Sequence, residues 1–179
     1  MISKWKTKSY THILKSFVFS YFKAERESSD GSLRGNFDIL ECRNWVNVFA
    51  LDADRNLVLV KQYRHGIDEV TIETVAGVIE NSEDPLDAAK RELLEETGHT
   101  SCMWTSLGKV SANPAFMNNY CHYFLAENCT KTSEQNLDPL EEIEVLKLDM
   151  KSVENKIRSG DIHHSLFLAG LGLLKISLN

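Results

Sequence analysis

The segment Asp84–Gly98 constrains the fold of this chain more than any other part of it. Pro85 falls in the first turn of a potential helix, where a proline costs no hydrogen bond, and Asp84 before it is a suitable N-cap residue. Gly98 is a typical residue for ending a helix. Apolar residues recur between these ends at helical spacing, at Leu86, Ala89 and Leu93. The segment therefore predicts a helix over 85–97 with one face in a core.

The same helix carries three carboxylates on one face. Glu92 and Glu96 are four residues apart, and Glu92 and Glu95 are three apart, so their side chains share one side of the helix. Like charges at this spacing repel one another and favour a bound cation. Carboxylate oxygens suit Mg²⁺ or Mn²⁺ better than zinc, and magnesium in turn bridges to phosphate oxygens. The helix predicts metal-assisted chemistry on a phosphate compound; the alternative is a solvated acidic surface.

A longer pattern surrounds these glutamates. Gly77 is followed after five residues by Glu83, and after seven more by the run Arg-Glu-Leu-Leu-Glu-Glu-Thr-Gly at 91–98. This pattern resembles the Nudix box, with one departure: the box usually continues with an apolar residue, and this chain has His99. We expect His99 to pack rather than to bind metal. The resemblance implies an α/β fold, the Nudix α/β/α sandwich with a mixed sheet.

The resemblance also implies roles for the residues of the box. The metal ligands would be Glu92, Glu95, Glu96 and the backbone carbonyl of Ala76, which precedes the box glycine. Structural roles would fall to Gly77, Glu83, Arg91 and Gly98. Gly77 would allow the turn that directs the Ala76 carbonyl, and Arg91 would pair with Glu95 one turn away. For Arg91 the alternative is an ordinary surface ion pair.

Residues outside the box extend the resemblance to the ADP-ribose and nucleotide-sugar pyrophosphatases. The run Lys61–Gly66 precedes the box at the spacing of that group, and Pro114 lies fifteen positions after His99. One feature differs, because Val75 stands where many ADP-ribose enzymes have a proline before Ala-Gly. The strand still delivers Ala76 to the metal, but the substrate pocket is expected to differ.

Three residues are candidates for binding the substrate. The Arg64 guanidinium suits a diphosphate or terminal phosphate, and the alternative is an ion pair at a strand end. Glu73 would accept hydrogen bonds from a base or a ribose, and the alternative is a solvated strand position. Pro114 is the third, as a feature of the ADP-ribose group. The histidines His122, His163 and His164 lack ligand spacing and are expected to be structural.

The resemblance predicts Mg²⁺-dependent hydrolysis of a nucleoside diphosphate derivative, with ADP-ribose giving AMP and ribose 5-phosphate; Mn²⁺ is a substitute metal. The catalytic residues would be Glu92, Glu95 and Glu96, with a general base from the acidic loop after the box, at Glu141 or Glu142. The alternatives are a GDP-mannose or other nucleotide-sugar pyrophosphatase, and a Nudix domain that binds nucleotides without cleaving them. Nudix sensors commonly lose box glutamates, and this chain keeps all of them.

The rest of the chain fits this fold. Residues 1–43 are predicted to form an antiparallel hairpin from strands at 13–25 and 36–42, and 44–179 to form the Nudix domain with its box at 77–99. Further strands are expected at 45–51, 57–63, 70–75, 105–110, 122–126 and 144–148, and helices at 151–159 and 163–175. In ADP-ribose and nucleotide-sugar enzymes the N-terminal sheet reaches across a two-fold dimer, so the resemblance implies a homodimer.

Composition excludes several other classes of protein. The 179 residues carry a net charge of −6, and an acidic chain gains nothing from the counterion release that drives nucleic-acid binding. The four cysteines form no C-x-x-C pair, which indicates reduced thiols in a cytosolic protein rather than a zinc site. The apolar runs at 17–22 and 166–174 are too short for an export signal or a membrane span. We therefore expect a cytoplasmic protein with a small-molecule substrate.

Overall fold

A computed structural model describes residues 2–177, so residue 1 and residues 178–179, the outer ends of the two predicted regions, lie outside the described part. The chain divides into two compact units. Among the described residues, the first contains 2–44 together with 111–120, and the second contains 45–110 together with 121–177. Segment 111–120 is an addition to the predicted N-terminal region, which ended at residue 43.

The first unit is a three-stranded antiparallel sheet. It consists of β1 (Lys6–Lys15), β2 (Phe19–Glu27) and β3 (Arg34–Cys42), in that order. The expected single strand over 13–25 is wrong, because the chain turns at Ser16, whose N–H donates to Phe19 O. This turn contains neither glycine nor proline, and exposed Phe17 and Val18 give it the composition of a strand.

Segment 111–120 joins the first unit along β3. The Leu40 N–H donates to Phe116 O at 2.7 Å, and the Asn118 N–H donates back to Leu40 O at 3.2 Å. The Asn118 side chain also accepts the Cys42 N–H at 3.0 Å. These contacts satisfy backbone groups at the edge of β3 that would otherwise need water.

The second unit contains the remaining strands and all three helices. The strands are β4 (Trp45–Asp52), β5 (Leu57–Arg64), β6 (Glu69–Val78), β7 (His99–Thr100), β8 (Met103–Ser111), β9 (Tyr120–Lys131) and β10 (Ile143–Leu148). The helices are α1 (Pro85–Thr97), α2 (Met150–Ser159) and α3 (Ser165–Ser177). The sheet order is β10-β5-β6-β4-β9-β7, with β8 paired to β9. Because β4 pairs parallel to β9 and antiparallel to β5 and β6, the sheet is mixed, as predicted.

A hydrophobic core lies on each face of this mixed sheet. Helix α1 covers one face, where its Ala88, Ala89 and Leu93 pack against residues such as Val48 and Phe124. Helices α2 and α3 cover the other face. Their buried residues are Val153, Phe167, Leu171 and Leu174. The predicted α/β/α sandwich is therefore confirmed, and α1 lies alone on the side that carries the box.

The cysteines of the described chain form no disulfide bond. All four cysteines are free, with Cys121 and Cys129 buried and Cys102 exposed. Between residues 2 and 177, none of the helices combines the length and apolar character needed to cross a membrane.

Helix α1 ends where its sequence predicts, at Gly98. This residue has φ +70° and donates its N–H to Leu94 O at 2.8 Å. A Cβ at this position would lie 2.1 Å from the backbone oxygen of Ser133. Gly98 is therefore required both for its left-handed backbone and for the close passage of the next loop.

Two glycine variants separate these requirements. Gly160 is also left-handed, at φ +85°, but a Cβ there meets nothing within 4 Å. We expect G160A to lower the free energy of unfolding by about 1 kcal/mol, through backbone strain alone. G98A should lower it by at least about 3 kcal/mol, because a backbone atom must also move. Urea denaturation measures both; equal losses would contradict this role for the Ser133 contact.

Candidate active site

Helix α1 holds its three box carboxylates at different depths. Its N-terminus is fixed by Asp84, whose side chain accepts the Leu86 N–H at 2.8 Å. Glu96 is only 4% exposed, whereas the side chain of Glu92 is 13% exposed and that of Glu95 is 37% exposed. The helix thus presents a ridge of acid groups that runs from the surface into the second unit.

Arg91 connects this ridge to the loop before the helix. Its Nε donates to Glu83 Oε1 at 2.9 Å, and its Nη2 donates to Glu83 Oε2 at 3.1 Å and to the carbonyl of Val78 at 3.0 Å. Its Nη1 donates to Glu92 at 2.7 Å and to Glu95 at 3.0 Å. The hydrogen bond with Glu83 comes first among the contacts that raise the pKa of Arg91. This five-bond arrangement exceeds an ordinary surface ion pair.

Gly77 lies directly against Glu92. A Cβ built on Gly77 would fall 1.9 Å from both Cδ and Oε1 of Glu92. Only a glycine therefore leaves room for this carboxylate at the end of β6. The sequence pattern indicated a glycine for its turn, and the structure adds a steric reason that depends on Glu92.

Glu96 reaches the same strand one residue earlier. Its Oε2 accepts the Ala76 N–H at 3.1 Å. Burial raises the pKa of Glu96 well above its ordinary value, and the nearby charge of Glu92 adds to the effect. Burial also raises the pKa of Glu92, although Arg91 opposes the shift. Two neighbouring carboxylates therefore lack full compensation by positive charge.

A divalent cation fits this donor set by its chemistry. Carboxylate and carbonyl oxygens are hard ligands, and burial raises the pKa of both Glu92 and Glu96, with a further rise from neighbouring carboxylates. Among residues 2–177, no three acidic, histidine or cysteine side chains are already gathered as a metal-binding cluster. Instead Arg91 holds Glu92 and Glu95, so a metal would share these carboxylates with Arg91.

Arg64 and Glu73 form a second charged pair, between β5 and β6. Arg64 Nε donates to Glu73 Oε1 at 2.8 Å, and Nη2 donates to Oε2 at 2.6 Å. Burial alone would raise the pKa of Glu73, but Arg64 outweighs it and the pKa lies below its ordinary value. The reading of Glu73 as a solvated strand position is wrong, because its side chain is 1% exposed. Arg64 forms the ion pair considered as its alternative role.

A cavity of about 290 Å³ adjoins the start of the box. Ala76 and Gly77 line it on the side of the box, and Arg64 lines it with its cationic group. Trp45 and His164 also line it, and His164 was expected to be structural. No sequence spacing relates His164 to the box, so only the fold could reveal this neighbour.

The acidic loop after β9 is attached to the C-terminal end of α1. Asn136 N–H donates to Glu95 O at 2.9 Å, and Gln135 Nε2 donates to Glu96 O at 2.6 Å. Glu141, further along this exposed loop, accepts the Asp138 N–H at 3.0 Å. The charge of Glu141 is among the main electrostatic influences on Arg64, Glu92 and Glu96.

Pro114 belongs to the first unit. It lines a cavity of about 490 Å³ there, together with Trp5, Arg26 and Phe37. Trp5 and Phe37 meet edge to face with ring centroids 5.6 Å apart. Its part in substrate binding stays a prediction.

His99, the departure from the box pattern, is buried, as expected. Its Nδ1 lies 2.9 Å from Thr97 O, which fits a donated hydrogen bond, while Nε2 has no partner among the described residues. Burial lowers the pKa of His99 below 6.5. The fold therefore holds this ring in its neutral form.

Most of this chain matches a known protein family. The NUDIX domain matches residues 40–166 of this chain, which include the whole box, every strand of the mixed sheet and helices α1 and α2. The chain belongs to the Nudix family. Nudix hydrolases are pyrophosphohydrolases and generally use divalent metal ions, so the family supplies the class of reaction.

Individual Nudix relatives align over most of this chain. It is 28% identical over 159 residues to the ADP-ribose pyrophosphatase of Bacillus subtilis (strain 168), across 88% of this chain and 85% of that protein. It is 25% identical over 128 residues to the ADP compounds hydrolase NudE of Escherichia coli (strain K12), across 71% and 68%. A crystal structure of an ADP compounds hydrolase superposes with a TM-score of 0.85 at 21% identity, covering 99% of this chain and 96% of that one, and shows the same fold.

The contact between Gly77 and Glu92 predicts the effect of a methyl group. G77A should displace the Glu92 carboxylate and lower kcat on the order of 10²-fold, because small misplacements of catalytic groups are costly. The obstacle is the end of a side chain, so the free energy of unfolding should fall by less than about 1 kcal/mol. G66A is the control, since a Cβ there meets nothing within 4 Å. Normal diphosphate hydrolysis by G77A would contradict this account.

His99 predicts a stability that depends on pH. Because its pKa is lower in the folded state, the unfolded chain binds the proton first as pH falls below about 6.5. Its contribution is complete above that pH and is lost as the pH falls through the lowered pKa of the folded state. H99L should reduce the loss of stability between pH 8 and pH 5, as measured by urea denaturation at each pH. An identical pH dependence in wild type and H99L would argue against a buried neutral ring.

Proposed function

We propose that this Nudix hydrolase cleaves the diphosphate linkage of ADP-ribose in a Mg²⁺-dependent reaction that yields AMP and ribose 5-phosphate. The observation that carries this proposal is the placement of half-buried Glu92 and buried Glu96 against Gly77 and Ala76, beside a cavity that Arg64 also lines. Negative groups on one side and a guanidinium on the other suit a metal-bound diphosphate.

The metal ligands would be Glu92, Glu96 and the carbonyl of Ala76, with Glu95 at the exposed end of the ridge. Magnesium bound there would neutralise phosphate charge and activate water. Arg91 would keep Glu92 and Glu95 oriented toward the site through its bonds to both. Glu83 would anchor Arg91, and Gly98 would close the helix on which all these residues depend.

The reaction replaces one phosphorus–oxygen bond by another. The oxygen of a water molecule bonds to one phosphorus of the diphosphate, and the bond from that phosphorus to the bridging oxygen breaks. The bridging oxygen leaves with the second phosphate, and a base takes a proton from the water. Arg64 would bind phosphate oxygens through Nη1, since its Nε and Nη2 are occupied by Glu73.

Glu141 is the candidate base that the contacts favour over Glu142. It lies on the loop attached to the end of α1, and its charge acts on Glu92, Glu96 and Arg64. Both loop glutamates are exposed, so the difference between them is position rather than burial. A carboxylate near the two buried ones suits proton removal from a water held between them.

ADP-ribose is favoured among substrates by sequence likeness, over most of the chain and at particular residues. Relatives at 25–28% identity are named ADP-ribose pyrophosphatase and ADP compounds hydrolase. Pro114 and the run Lys61–Gly66 also match that group. A nucleotide-sugar diphosphate requires the same chemistry with a different pocket.

We also propose a homodimer formed through the first unit. Every residue of β1 is exposed, including the large apolar side chains Tyr10, Ile13 and Leu14. A long edge strand with exposed apolar groups is usually covered by a partner. Sedimentation at micromolar concentration should give twice the mass of the chain, and a monomeric mass would exclude this arrangement. The location expected for such an enzyme is the cytoplasm.

The substrate is tested by a panel of compounds. ADP-ribose, GDP-mannose, other nucleotide sugars and dinucleoside polyphosphates are incubated with Mg²⁺, with and without chelator, and the products are separated. We expect ADP-ribose to have the highest kcat/KM, with AMP and ribose 5-phosphate as products and no turnover in chelator. Faster cleavage of GDP-mannose would assign GDP-mannose as the substrate in place of ADP-ribose. Binding without any cleavage would indicate a sensor.

Charge-removing variants test the catalytic roles. E96Q should abolish turnover yet retain the fold, because it removes a buried charge and keeps the shape of the side chain. E141Q should lower kcat roughly 10²-fold, the usual contribution of a general base. E142Q is the matched control on the same loop and should stay within about threefold of wild type. Near-normal activity of E96Q would refute the metal site, and a larger loss in E142Q than in E141Q would reassign the base.

A further inference from the structure

The buried carboxylate of Glu73 gathers side chains from three parts of the fold. Arg64 at the end of β5 donates two hydrogen bonds to it, and Thr71 of β6 donates another through its hydroxyl. His164, in the connection between α2 and α3, has its Nε2 at 3.9 Å from Glu73 Oε2. Glu73 therefore fixes the Arg64 guanidinium and lies beside the His164 imidazole, a second basic side chain that is far away in sequence.

These two basic side chains face the same cavity. Arg64 and His164 both line the space of about 290 Å³ that begins at Ala76 and Gly77. The backbone of His164 is held in place, since its carbonyl accepts the Leu168 N–H at 3.1 Å as α3 begins. The main chain of His164 is thus anchored at the start of α3, and its side chain lines the cavity.

The hydrogen bonding of this imidazole is incomplete. His164 Nδ1 is buried and has no hydrogen-bond partner within residues 2–177, and Nε2 is too far from Glu73 for a normal hydrogen bond. Because Nδ1 is enclosed, Nε2 is the nitrogen through which this ring can reach a molecule in the cavity. The neighbouring His163 differs, because it pairs with Glu69 at 3.3 Å and does not line the cavity.

We propose that His164 is a specificity-determining residue that, with Arg64, recognises the phosphorylated sugar half of the substrate. This inference rests on the proposed function for the identity of that half. A sugar phosphate offers hydroxyl and phosphate oxygens to the imidazole and to the remaining Nη1 donors of Arg64. Trp45 and Leu166, also in the wall, supply apolar surface for the face of a sugar ring.

Glu73 acts as the positioning residue of this subsite. Both of its oxygens are bound by Arg64, and the side chain is almost fully enclosed. We therefore replace the expected contact between Glu73 and a base or ribose with an indirect role, in which Glu73 positions Arg64. The chemistry of recognition falls to Arg64 and His164, which remain in contact with the cavity.

Four variants and two ligands test the subsite. H164L removes both nitrogens, whereas H164N and H164Q keep an amide near the positions of Nδ1 and Nε2. H163Q is the control, because His163 does not line the cavity. Calorimetry measures the binding of ribose 5-phosphate and of AMP to each protein, and steady-state kinetics measures kcat and KM for ADP-ribose. Thermal unfolding verifies that each variant is folded.

We expect H164L to weaken ribose 5-phosphate binding roughly tenfold and to raise KM by a similar factor, the usual effect of losing a hydrogen bond to a charged ligand. AMP binding and kcat should stay within about threefold of wild type. At least one amide variant should restore binding, and H163Q should match wild type throughout. If H164L does not fold, a retained affinity in one amide variant and a loss in the other carries the same conclusion.

Some outcomes would overturn the inference. Wild-type affinity for ribose 5-phosphate in H164L, or an equal loss of AMP and ribose 5-phosphate binding, excludes a role in recognising the sugar half. Failure of the proposed function is distinguishable from both. Wild-type protein that does not cleave ADP-ribose, but binds ribose 5-phosphate through His164, would overturn the proposed substrate and leave the subsite intact.

Discussion

The packing of helix α1 against the end of β6 is the constraint on which the site depends. Glu92 occupies the space where any other residue than Gly77 would place its Cβ, and Glu96 accepts the N–H of Ala76. Two acid groups are thereby pressed against a strand end whose carbonyl also faces the site in the proposed function. The helix must begin and end correctly for this contact to form, which explains the need for Asp84 and Gly98 at its ends.

Arg91 and burial have opposite effects on the pKa of Glu92: burial raises it and Arg91 lowers it. Arg91 compensates Glu83 and Glu95, and partly Glu92, through a single guanidinium. Glu96 receives only one backbone hydrogen bond in the same region, and its pKa is raised by burial. Burial of carboxylates at such a cost is typical of groups arranged for function rather than for stability.

Local features made the box helix predictable, and long-range contacts made the rest of the site less so. Proline, N-cap and glycine residues fixed 85–97 to the residue, because each acts within one turn. The turn after Lys15 was missed because exposed Phe17 and Val18 resemble a strand. Glu73 and His164 are ninety-one positions apart, and no local pattern brings them together. Their partnership follows only from the placement of the α2–α3 connection beside β6.

The central claim is that the carboxylates of α1 bind a divalent cation at the end of β6. Calorimetric titration with Mg²⁺ tests it most directly, in wild type and in the E92Q/E96Q double variant, with unfolding curves recorded in chelator. The account predicts saturable Mg²⁺ binding by wild type, no binding by the double variant, and a double variant at least as stable as wild type without metal. Equal Mg²⁺ affinity in both proteins would contradict it.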